Sequence, residues 1–527
     1  MSRETQEPAP ASLWTAQQAA VADRHTIDAL KMASPVLMER AALCVSAAVE
    51  QLAAERGATR VLVLVGPGNN GGDGLAIARQ LHGRGRLQVS AALVTAKRNA
   101  AAQEQLEWAR SHGVRIRETL PDEVSDAVIV DALLGTGSRG APRGAIEQAL
   151  RWLEEREPAS GGQGGGGGAH KPAVVAVDVP SGIEVDSGAV PSVAARAAVT
   201  VTFQRSKIGL HLTPARAFAG RVVVADIGLV EPSTGEGRES IELLDPRVVA
   251  GLLASLPEPA HKGHRGHVGV VGGTGGTPGA AVLAGAAALR TGAGLCTLAM
   301  SDEQLRRALI ESRPELMLAD PEDRFVAAAD VLVVGPGLTE AREGLDALDR
   351  EDPRPAVWDA SALEDFVVER SAGPRILTPH PGEAARMLAR FEDDPSWTNA
   401  RVQADRLDAA RRLAESSGAV VVLKGEGTVV AERERDRLRV AISTTGGPAL
   451  ATAGSGDVLA GAIAALLARG LDPWAAACAG VHVHGLAGDR AAVDGTLALD
   501  VAEGLPQALA LTRAGELPRG WPRLLRG

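Results

Sequence analysis

Short apolar runs that end abruptly in glycines and polar residues recur along this chain. The first, Thr59–Val65, passes directly into the glycine-rich segment Gly66–Gly74, and a helical pattern begins at Leu75. The run Ala173–Val177 ends in the same way at Asp178–Gly182. Such runs are typical of strands buried on both faces, and helical segments between them favour parallel pairing. The alternation therefore predicts an α/β protein with mainly parallel sheets.

The length and composition limit the kinds of protein this chain can be. A length of 527 residues is too great for one ordinary core and predicts about two to four domains. Hydrophobic residues make up 45% of the chain and tyrosine is absent, so alanine, valine and leucine must fill the cores. The formal net charge of −10 argues against a nucleic-acid-binding protein, because phosphate contacts need a basic surface. Three widely separated cysteines, no signal-peptide pattern and no long apolar run favour a cytoplasmic protein without membrane spans.

Polar side chains follow three of the predicted strands of the first half, at the point where each strand ends. They are Asn70 and Asp73 after the first strand, Asp131 after the second, and Asp178 with Ser181 after the third. In an open α/β sheet, ligands bind at the carboxyl ends of the strands, where such loops converge. We therefore expect one site, in which amide and carboxylate oxygens hold a small cation or a ribose hydroxyl. The alternative is a structural turn at the glycine-rich segment and separate helix caps at the acids.

Five motifs of the first half occur in the order seen in the NAD(P)H-hydrate epimerases. They are GPGNNGGDGL, DALLGTG, VAVDVPSGIEVDSG, TVTFQRSKIGL and VVVADIGL, and the similarity covers nearly all of residues 14–230. The resemblance implies a Rossmann-like three-layer domain that interconverts the R and S hydrates at C6 of the nicotinamide ring. It also implies that Asn70, Asp131 and Ser181 bind a potassium ion. The substrate contacts that it implies are Asn69, Asn70, Gly71, Gly72, Asp73, Gly135, Thr136, Gly137, Ser138, Arg139, Gly140, Ala141 and Asp178.

Asp178 is the candidate catalytic residue of this first domain. Epimerisation at a carbon next to a ring nitrogen requires the hydroxyl group to leave and return. A carboxylate can transfer the proton and stabilise the iminium-like cation formed midway. The glycine tract 159–169 is an insertion between the motifs, which we expect to be a surface loop, and residues 1–12 are predicted to be a flexible tail.

The segment Thr452–Gly461 combines small residues with glycines and passes into an apolar run that predicts a helix from Val458 to about Ala468. A turn of this kind opens a helix with free backbone N–H groups, which bind anions. Asp457 falls in the first turn, where the helix dipole is expected to hold the pKa of its carboxyl low. A carboxylate beside bound phosphate suits chemistry on a neighbouring hydroxyl. The alternative is a glycine-rich turn capped by an aspartate.

The second half contains the motif set of the NAD(P)H-hydrate dehydratases, which belong to the ribokinase-like superfamily. The motifs are HKG, GGTGGTPGA, RTGAGL, GPGL, TPHPGE, KGEGT and TAGSGDVLAG, and the similarity covers roughly residues 246–510. The resemblance implies that Asp457 is the catalytic base, that Mg²⁺ accompanies the nucleotide, and that ADP is used, although the sequence does not exclude ATP. The ADP contacts implied are Lys424, Gly425, Glu426, Gly427, Thr428 and Gly456. The contacts implied to the hydrated cofactor are Ala280, Gly337, His380 and Asp457.

Together the two resemblances predict a bifunctional enzyme that repairs hydrated NADH and NADPH. The epimerase domain is expected in residues 1–235 and the ADP-dependent dehydratase domain in residues 246–527. The first domain would supply the epimer that the second consumes. Two alternatives stay open: the second half is a kinase of a vitamin precursor or sugar, or the first half is a non-catalytic binding module. We expect a homo-oligomer with small-molecule ligands, no nucleic acid and no membrane.

Overall fold

A computed structural model of the chain describes residues 4–8, 11–156, 172–232, 240–253, 262–274, 276–299, 303–320, 324–339, 345–367 and 371–525. The glycine tract 159–169, expected to be a surface loop, lies outside these residues. The chain divides into two units, Met1–Arg238 with Gly520–Gly527, and Glu239–Arg519. The C-terminal residues therefore group with the first unit, whereas we expected a second domain that extends to residue 527.

Strands and helices alternate through both units. The strands are β1 (Glu4–Pro8), β2 (Leu13–Trp14), β3 (Arg60–Val65), β4 (Gln88–Leu93), β5 (Arg115–Arg117), β6 (Ala127–Ala132), β7 (Ala173–Val177), β8 (Val199–Phe203), β9 (Ser206–Lys207), β10 (Arg221–Ala225), β11 (Ser240–Leu243), β12 (His267–Val271), β13 (Leu295–Ala299), β14 (Met317–Ala319), β15 (Val331–Val334), β16 (Ala356–Trp358), β17 (Arg375–Leu377), β18 (Val420–Leu423), β19 (Val429–Glu434), β20 (Arg437–Ile442) and β21 (Arg523–Leu525). The α-helices are α1 (Ala16–Arg24), α2 (Ser34–Arg56), α3 (Asn69–Arg84), α4 (Ala100–Ser111), α5 (Ala145–Glu154), α6 (Arg216–Ala219), α7 (Pro246–Leu252), α8 (Pro278–Thr291), α9 (Glu303–Ser312), α10 (Arg324–Ala327), α11 (Leu345–Glu351), α12 (Pro381–Phe391), α13 (Asn399–Ala404), α14 (Arg406–Ser417), α15 (Ser455–Ala468), α16 (Pro473–Arg490) and α17 (Ala498–Arg513).

The first unit is built on one sheet whose described strands lie in the order β1-β21-β10-β8-β7-β6-β3-β4-β5. All neighbours in it are parallel except β1 and β21. Alternate residues of β3 face opposite cores, because Val61, Val63 and Val65 pack with α2 and α3, whereas Leu62 and Leu64 pack with α5. Burial on both faces explains the continuous apolar run, and the predicted three-layer α/β arrangement is confirmed.

The second unit is built on a sheet of order β11-β20-β19-β18-β17-β16-β15-β12-β13-β14. Its described strands are parallel except where β19 pairs with β18 and β20. Helix α15 packs in the main core with α8, α16 and α17, and its residues from Val458 to Leu467 are all buried. A Cβ on Gly461 would lie 2.0 Å from the carbonyl oxygen of Ala284, so this glycine lets α15 and α8 approach closely. Tight packing on several sides therefore fixes the helix whose first turn contains Asp457.

Strand β7 has the expected bounds, β3 begins one residue after the predicted Thr59, and α3 begins at Asn69, before the predicted Leu75. Helix α15 begins at Ser455, slightly before the predicted Val458. The prediction of a flexible tail at residues 1–12 was wrong for Glu4–Pro8, which form β1. The partner of β1 is β21, from the other end of the chain, so no local pattern could indicate this pairing.

Candidate functional site

The loops that follow β3, β6 and β7 line a cavity of about 580 Å³ in the first unit. The predicted convergence of these loops is therefore present. A Cβ on Gly71 would lie 2.1 Å from the carbonyl oxygen of Gly66, so the glycine lets α3 begin against the end of β3. The predicted substrate contacts that line the cavity are Asn69, Asn70, Asp73, Gly135, Thr136, Gly137, Ser138 and Asp178. The other predicted contacts, Gly71, Gly72, Arg139, Gly140 and Ala141, are not among its lining residues.

The three predicted potassium ligands lie together around the turn that follows β6. The Ser181 Oγ donates to Asp131 Oδ1 at 2.7 Å, and the Ser181 backbone N–H donates to Oδ2 at 2.8 Å. The Asn70 Nδ2 donates to the carbonyl oxygen of Leu134 at 2.9 Å, and the Leu134 N–H donates to Ser181 Oγ at 2.9 Å. Side chains from the first turn of α3, the end of β6 and the loop after β7 thus lie around one hydrogen-bonded network.

The chemistry of this network fits a potassium ion. Asp131 is completely buried, and it pairs with no lysine or arginine of the described residues. Burial raises the pKa of its carboxyl, and hydrogen bonds from Ser181 and Leu133 offset part of that rise. A buried carboxylate with neutral partners lacks a compensating positive charge. Oxygen atoms of Asn70 and Ser181 next to it would complete a set of ligands suited to a hard cation.

Asp178 lies at the end of β7 with φ +66°, a conformation that non-glycine residues rarely adopt. Its Oδ1 accepts hydrogen bonds from the Thr202 hydroxyl at 3.0 Å and from Lys207 Nζ at 2.7 Å. Lys207 is 2% exposed and also donates to the carbonyl oxygen of Phe203. The ion pair and the hydroxyl therefore hold the Asp178 carboxylate in one orientation at the cavity wall.

Two further carboxyl groups line the same cavity. Burial raises the pKa of Asp73 well above its usual value, and the neighbouring Asp178 and Asp23 raise it further. The pKa of Asp23 is also raised, first by burial and then by Asp178. Lys207 pairs with only one of these acids, Asp178. The cavity therefore combines one ion-paired carboxylate with neighbours that retain protons more readily than exposed acids.

A second cluster of charged side chains forms in the other unit, where loops after β16, β17 and β18 meet α15. Lys424, directly after β18, places its Nζ 2.6 Å from Asp359 Oδ1 and 3.8 Å from Glu383 Oε2. Asp359 directly follows β16 and is 1% exposed. A Cβ on Gly456 would lie 3.2 Å from Lys424 Nζ, so the first turn of α15 lies against the lysine. Asp457 is in that same turn.

The electrostatics of this cluster correct one prediction. Burial raises the pKa of the Asp457 carboxyl to about 7, with Asp359 and Glu383 acting in the same direction and Lys424 opposing them. The prediction of a low pKa was therefore wrong. A helix dipole is worth about 0.3–1 kcal/mol, which is less than the loss of hydration and the repulsion from two acids. Burial alone would lower the pKa of Lys424, but Asp359, Glu383 and Asp457 raise it.

The other predicted contacts to the hydrated cofactor form two groups. A Cβ on Gly337 would lie 3.1 Å from the Cβ of Ala280, so these two residues are neighbours. His380 caps α12, because its Nδ1 accepts a hydrogen bond from the Gly382 N–H at 3.0 Å. Its Nε2 lies 3.4 Å from Glu383 Oε1, which connects His380 to the lysine cluster.

The predicted nucleotide loop Lys424–Thr428 is a tight turn. Gly425 and Gly427 have φ angles of +134° and +69°, values that residues with a side chain rarely adopt. The Thr428 Oγ1 donates to the Gly425 carbonyl oxygen at 2.8 Å, and Glu426 is exposed. The loop thus connects the buried lysine to an accessible surface.

Two family models match the chain. One, described as NAD(P)H-hydrate dehydratase, matches residues 268–507, and the other, described as YjeF-related protein N-terminus, matches residues 34–209. A bifunctional NAD(P)H-hydrate repair enzyme of Moorella thermoacetica is 35% identical over 514 residues, which cover 91% of this chain and 92% of that protein. The chain belongs to the bifunctional NAD(P)H-hydrate repair enzyme family.

A second curated relative and a solved structure are also similar to this chain. The Escherichia coli member is also 35% identical, over 511 residues that cover 93% of each chain. Among solved structures, the ADP/ATP-dependent NAD(P)H-hydrate dehydratase of Bacillus subtilis, co-crystallized with ATP/Mg²⁺, is 28% identical and covers 51% of this chain and 98% of its own, with a TM-score of 0.46. Membership of the family confirms the resemblances that the motifs of both halves indicated. Among the described residues, no helix combines the length and apolarity needed to span a bilayer.

Sequence analysis missed four residues of these sites. Asp23 and Lys207 belong to the cavity of the first unit, and Asp359 and Glu383 surround Lys424 in the second. For Asp359 a signal existed, because a charged residue directly after an apolar run must find a partner when it is buried.

Proposed function

We propose that this member of the family repairs hydrated NADH and NADPH in two steps. The first unit epimerises the R and S hydrates at C6, and the second unit uses ADP to dehydrate the S hydrate to NAD(P)H. The observation that supports this proposal most directly is the position of Asp457. Its carboxyl has a pKa of about 7 and lies in the first turn of α15, next to Lys424. A base with a pKa near neutrality is well suited to deprotonate an alcohol.

In the first unit, Asp178, whose carboxylate pairs with Lys207, would act on the C6 hydroxyl. In its protonated form it would give a proton to the hydroxyl, which leaves as water, and the resulting carboxylate would stabilise the positive charge on the ring and take a proton from the water that returns. Asn70, Asp131 and Ser181 would hold potassium, which supplies positive charge to position the phosphates of the substrate. Asp73 and Asp23 line the same cavity.

In the second unit, Asp457 would remove the proton from the C6 hydroxyl as the oxygen attacks the terminal phosphate of ADP, releasing AMP. The backbone N–H groups at the start of α15 and the ammonium of Lys424 would stabilise the charge on the transferred group. The ring nitrogen then expels phosphate from C6, and loss of a proton from C5 regenerates the dihydronicotinamide.

Magnesium would come with the nucleotide. Within the described residues there is no group of three acidic, histidine or cysteine side chains that could hold a metal ion by itself. This fits Mg²⁺, which is commonly bound by phosphates and water with one or two protein carboxylates. The ion would neutralise charge on the phosphates.

The test is to incubate the protein with separate R and S hydrates of NADH, with ADP or ATP, and to follow the return of the reduced-cofactor absorbance. Both hydrates should be converted. Asp457→Ala should abolish the return of absorbance while R and S still interconvert, and Asp178→Ala should slow conversion of the R hydrate alone. Absence of conversion with either nucleotide, together with phosphorylation of a simple alcohol, would instead support a kinase.

The cellular setting and assembly state are part of the same proposal. All three cysteines, Cys44, Cys296 and Cys478, are free and buried, which suits a reducing cytoplasm. We expect a homo-oligomer in solution, which sedimentation or light scattering would test.

A further inference from the structure

A buried arginine lies against the predicted nucleotide loop. Arg406 begins α14 and is 1% exposed. Its Nη2 donates to the carbonyl oxygens of Leu423 and Lys424, each at 3.1 Å. Its Nη1 donates to Gln403 Oε1 at 3.2 Å. The guanidinium therefore fixes the backbone at the point where β18 ends and the loop begins.

Gly425 shows how closely this arginine approaches the loop. An ideal Cβ on Gly425 would lie 2.9 Å from Arg406 Nη1 and 3.1 Å from Nη2. The guanidinium thus occupies the space that a side chain at Gly425 would need. Any larger residue there would have to displace Arg406 as well as adopt an unfavourable φ.

The charge of Arg406 is poorly compensated by the protein. Within the described part of the chain its guanidinium forms no ion pair, and its buried Nε has no hydrogen-bond partner. Burial lowers the pKa of Arg406 to about 10, with the exposed Glu426 opposing the shift, so the group stays protonated near neutral pH. Buried charges in proteins usually have a partner of opposite sign. A phosphate bound on the loop would supply that partner.

The same backbone determines where Lys424 points. Arg406 holds the Lys424 carbonyl, while the Lys424 ammonium reaches Asp359 and Glu383. A shift of this peptide would move the lysine relative to the first turn of α15, since Gly456 lies against Lys424 Nζ. Arg406 can therefore influence nucleotide binding without contacting the nucleotide.

We propose that Arg406 is a positioning residue for nucleotide use, which holds the Lys424–Gly425 peptide and places a buried positive charge beside the phosphate-binding loop. This inference depends on the proposed use of ADP by the second unit. In this role, Arg406 makes the second unit prefer a nucleotide that carries a terminal phosphate. The loss on removing Arg406 should therefore depend on the phosphates of the ligand and not on its nucleoside.

The experiment compares Arg406→Met with the wild-type protein in binding ADP, AMP and adenosine, and in the KM for ADP and for the S hydrate. Removal of one nearby charge in a partly desolvated site should weaken ADP binding at least about tenfold. AMP should lose less, adenosine should be nearly unaffected, and the KM for the S hydrate should change less than about twofold, because the loop is local to the phosphates. An equal loss for all three ligands, or an unchanged KM for ADP, would overturn the inference.

Two controls separate this role from general damage. Arg412 is an exposed residue of the same helix and pairs with Asp408. The control variant Arg412→Met should therefore leave ADP binding unchanged. Epimerisation by the first unit in the same protein should persist in both variants. If the wild-type protein itself shows no ADP-dependent conversion, the proposed function fails and not only the role of Arg406.

Arg406→Lys serves as the conservative variant and keeps the test decisive if Arg406→Met does not fold. It keeps the charge but cannot reproduce the planar donor geometry of arginine. We expect it to restore part of the ADP affinity, to within about threefold to fivefold of the wild-type value. Wild-type affinity in Arg406→Lys would refute the positioning role, and adenosine affinity lost together with ADP affinity would refute the phosphate dependence.

Discussion

Replacing Asp457 by asparagine should stabilise the second unit while abolishing dehydration. In the folded protein the pKa of this carboxyl rises from 3.8 to about 7, because burial and then Asp359 disfavour its charged form. Each pKa unit corresponds to about 1.4 kcal/mol, so the ionised carboxylate destabilises the folded unit by about 4 kcal/mol at pH 8. Asparagine has a similar shape and no charge, so the variant avoids this penalty.

The pH dependence distinguishes this effect from a change in packing. A raised folded pKa means that the folded unit retains a proton that the unfolded chain releases above pH 3.8. The free energy of unfolding of the wild-type unit therefore falls by about 1.4 kcal/mol per pH unit from about pH 4 to about pH 7 and levels off above. The Asp457→Asn variant lacks this pH-dependent contribution. Its free energy of unfolding should therefore be close to that of the wild-type unit at pH 4 and exceed it most at pH 8.

The assay is urea unfolding of nucleotide-free wild-type and variant proteins at several pH values, followed by tryptophan fluorescence. Asp408→Asn is the matched control, because Asp408 also lies in the first turn of a helix but is exposed and paired with Arg412. It should change the free energy of unfolding by less than about 1 kcal/mol. An Asp457→Asn protein that is no more stable than wild type at pH 8, or whose advantage does not change with pH, would refute the electrostatic account.

Two further predictions concern the first unit. Epimerisation should depend on potassium, and Asp131→Asn should lose most of that dependence while dehydration of the S hydrate is retained; a potassium titration of both activities tests this. Equal potassium activation in the variant would count against the proposed site. Deleting Gly520–Gly527 removes β21, which pairs with β1 and β10, together with the buried Trp521 and Leu525. The first unit should lose at least about 3 kcal/mol of stability, which thermal unfolding would detect, and an unchanged transition would show that this strand is dispensable.

The local patterns of the sequence predicted most of the fold because the central strands are buried on both faces. Strand β15, for example, is a continuous apolar run of four residues, and all four are buried. Strand β1 could not be predicted in this way, because it contains charged residues and Pro8, and its partner is β21. Its pairing depends on residues at the opposite end of the chain, which no local window includes.

The candidate sites show the same difference between residues that local motifs predict and partners that are distant in the sequence. Motifs indicated Asp178 and Lys424, but the partners of these residues come from other strands, as Asp359 does for Lys424 at a separation of 65 residues. Such partners follow from the strand order and not from spacing. The error in the pKa of Asp457 has the same origin, since its helix position is local but its burial and its acidic neighbours are not.

The two units have different sheets, yet each pairs one lysine with one carboxylate at its site. In the first unit Lys207 lies 2.7 Å from Asp178, and in the second Lys424 lies 2.6 Å from Asp359. In both units the lysine directly follows or ends a strand, and further acids lie close to the pair. The remaining acid retains a proton more strongly in each unit, first because it is buried and then because neighbouring carboxylates repel its charge.

That remaining acid is Asp73 in the first unit and Asp457 in the second, and in each the pKa is raised. A carboxyl whose pKa is about 7, as in Asp457, can exchange its proton with the hydroxyl of a substrate near neutral pH. Both proposed reactions begin at the C6 hydroxyl of the hydrate, on which Asp178 would act in the first unit and Asp457 in the second. Lys424 lowers the pKa of Asp457, so replacing Lys424 by methionine should raise that pKa further and shift the pH–rate profile of dehydration to higher pH, while epimerisation by the first unit is unchanged. A profile that stays in place would show that the lysine does not set the protonation of the acid.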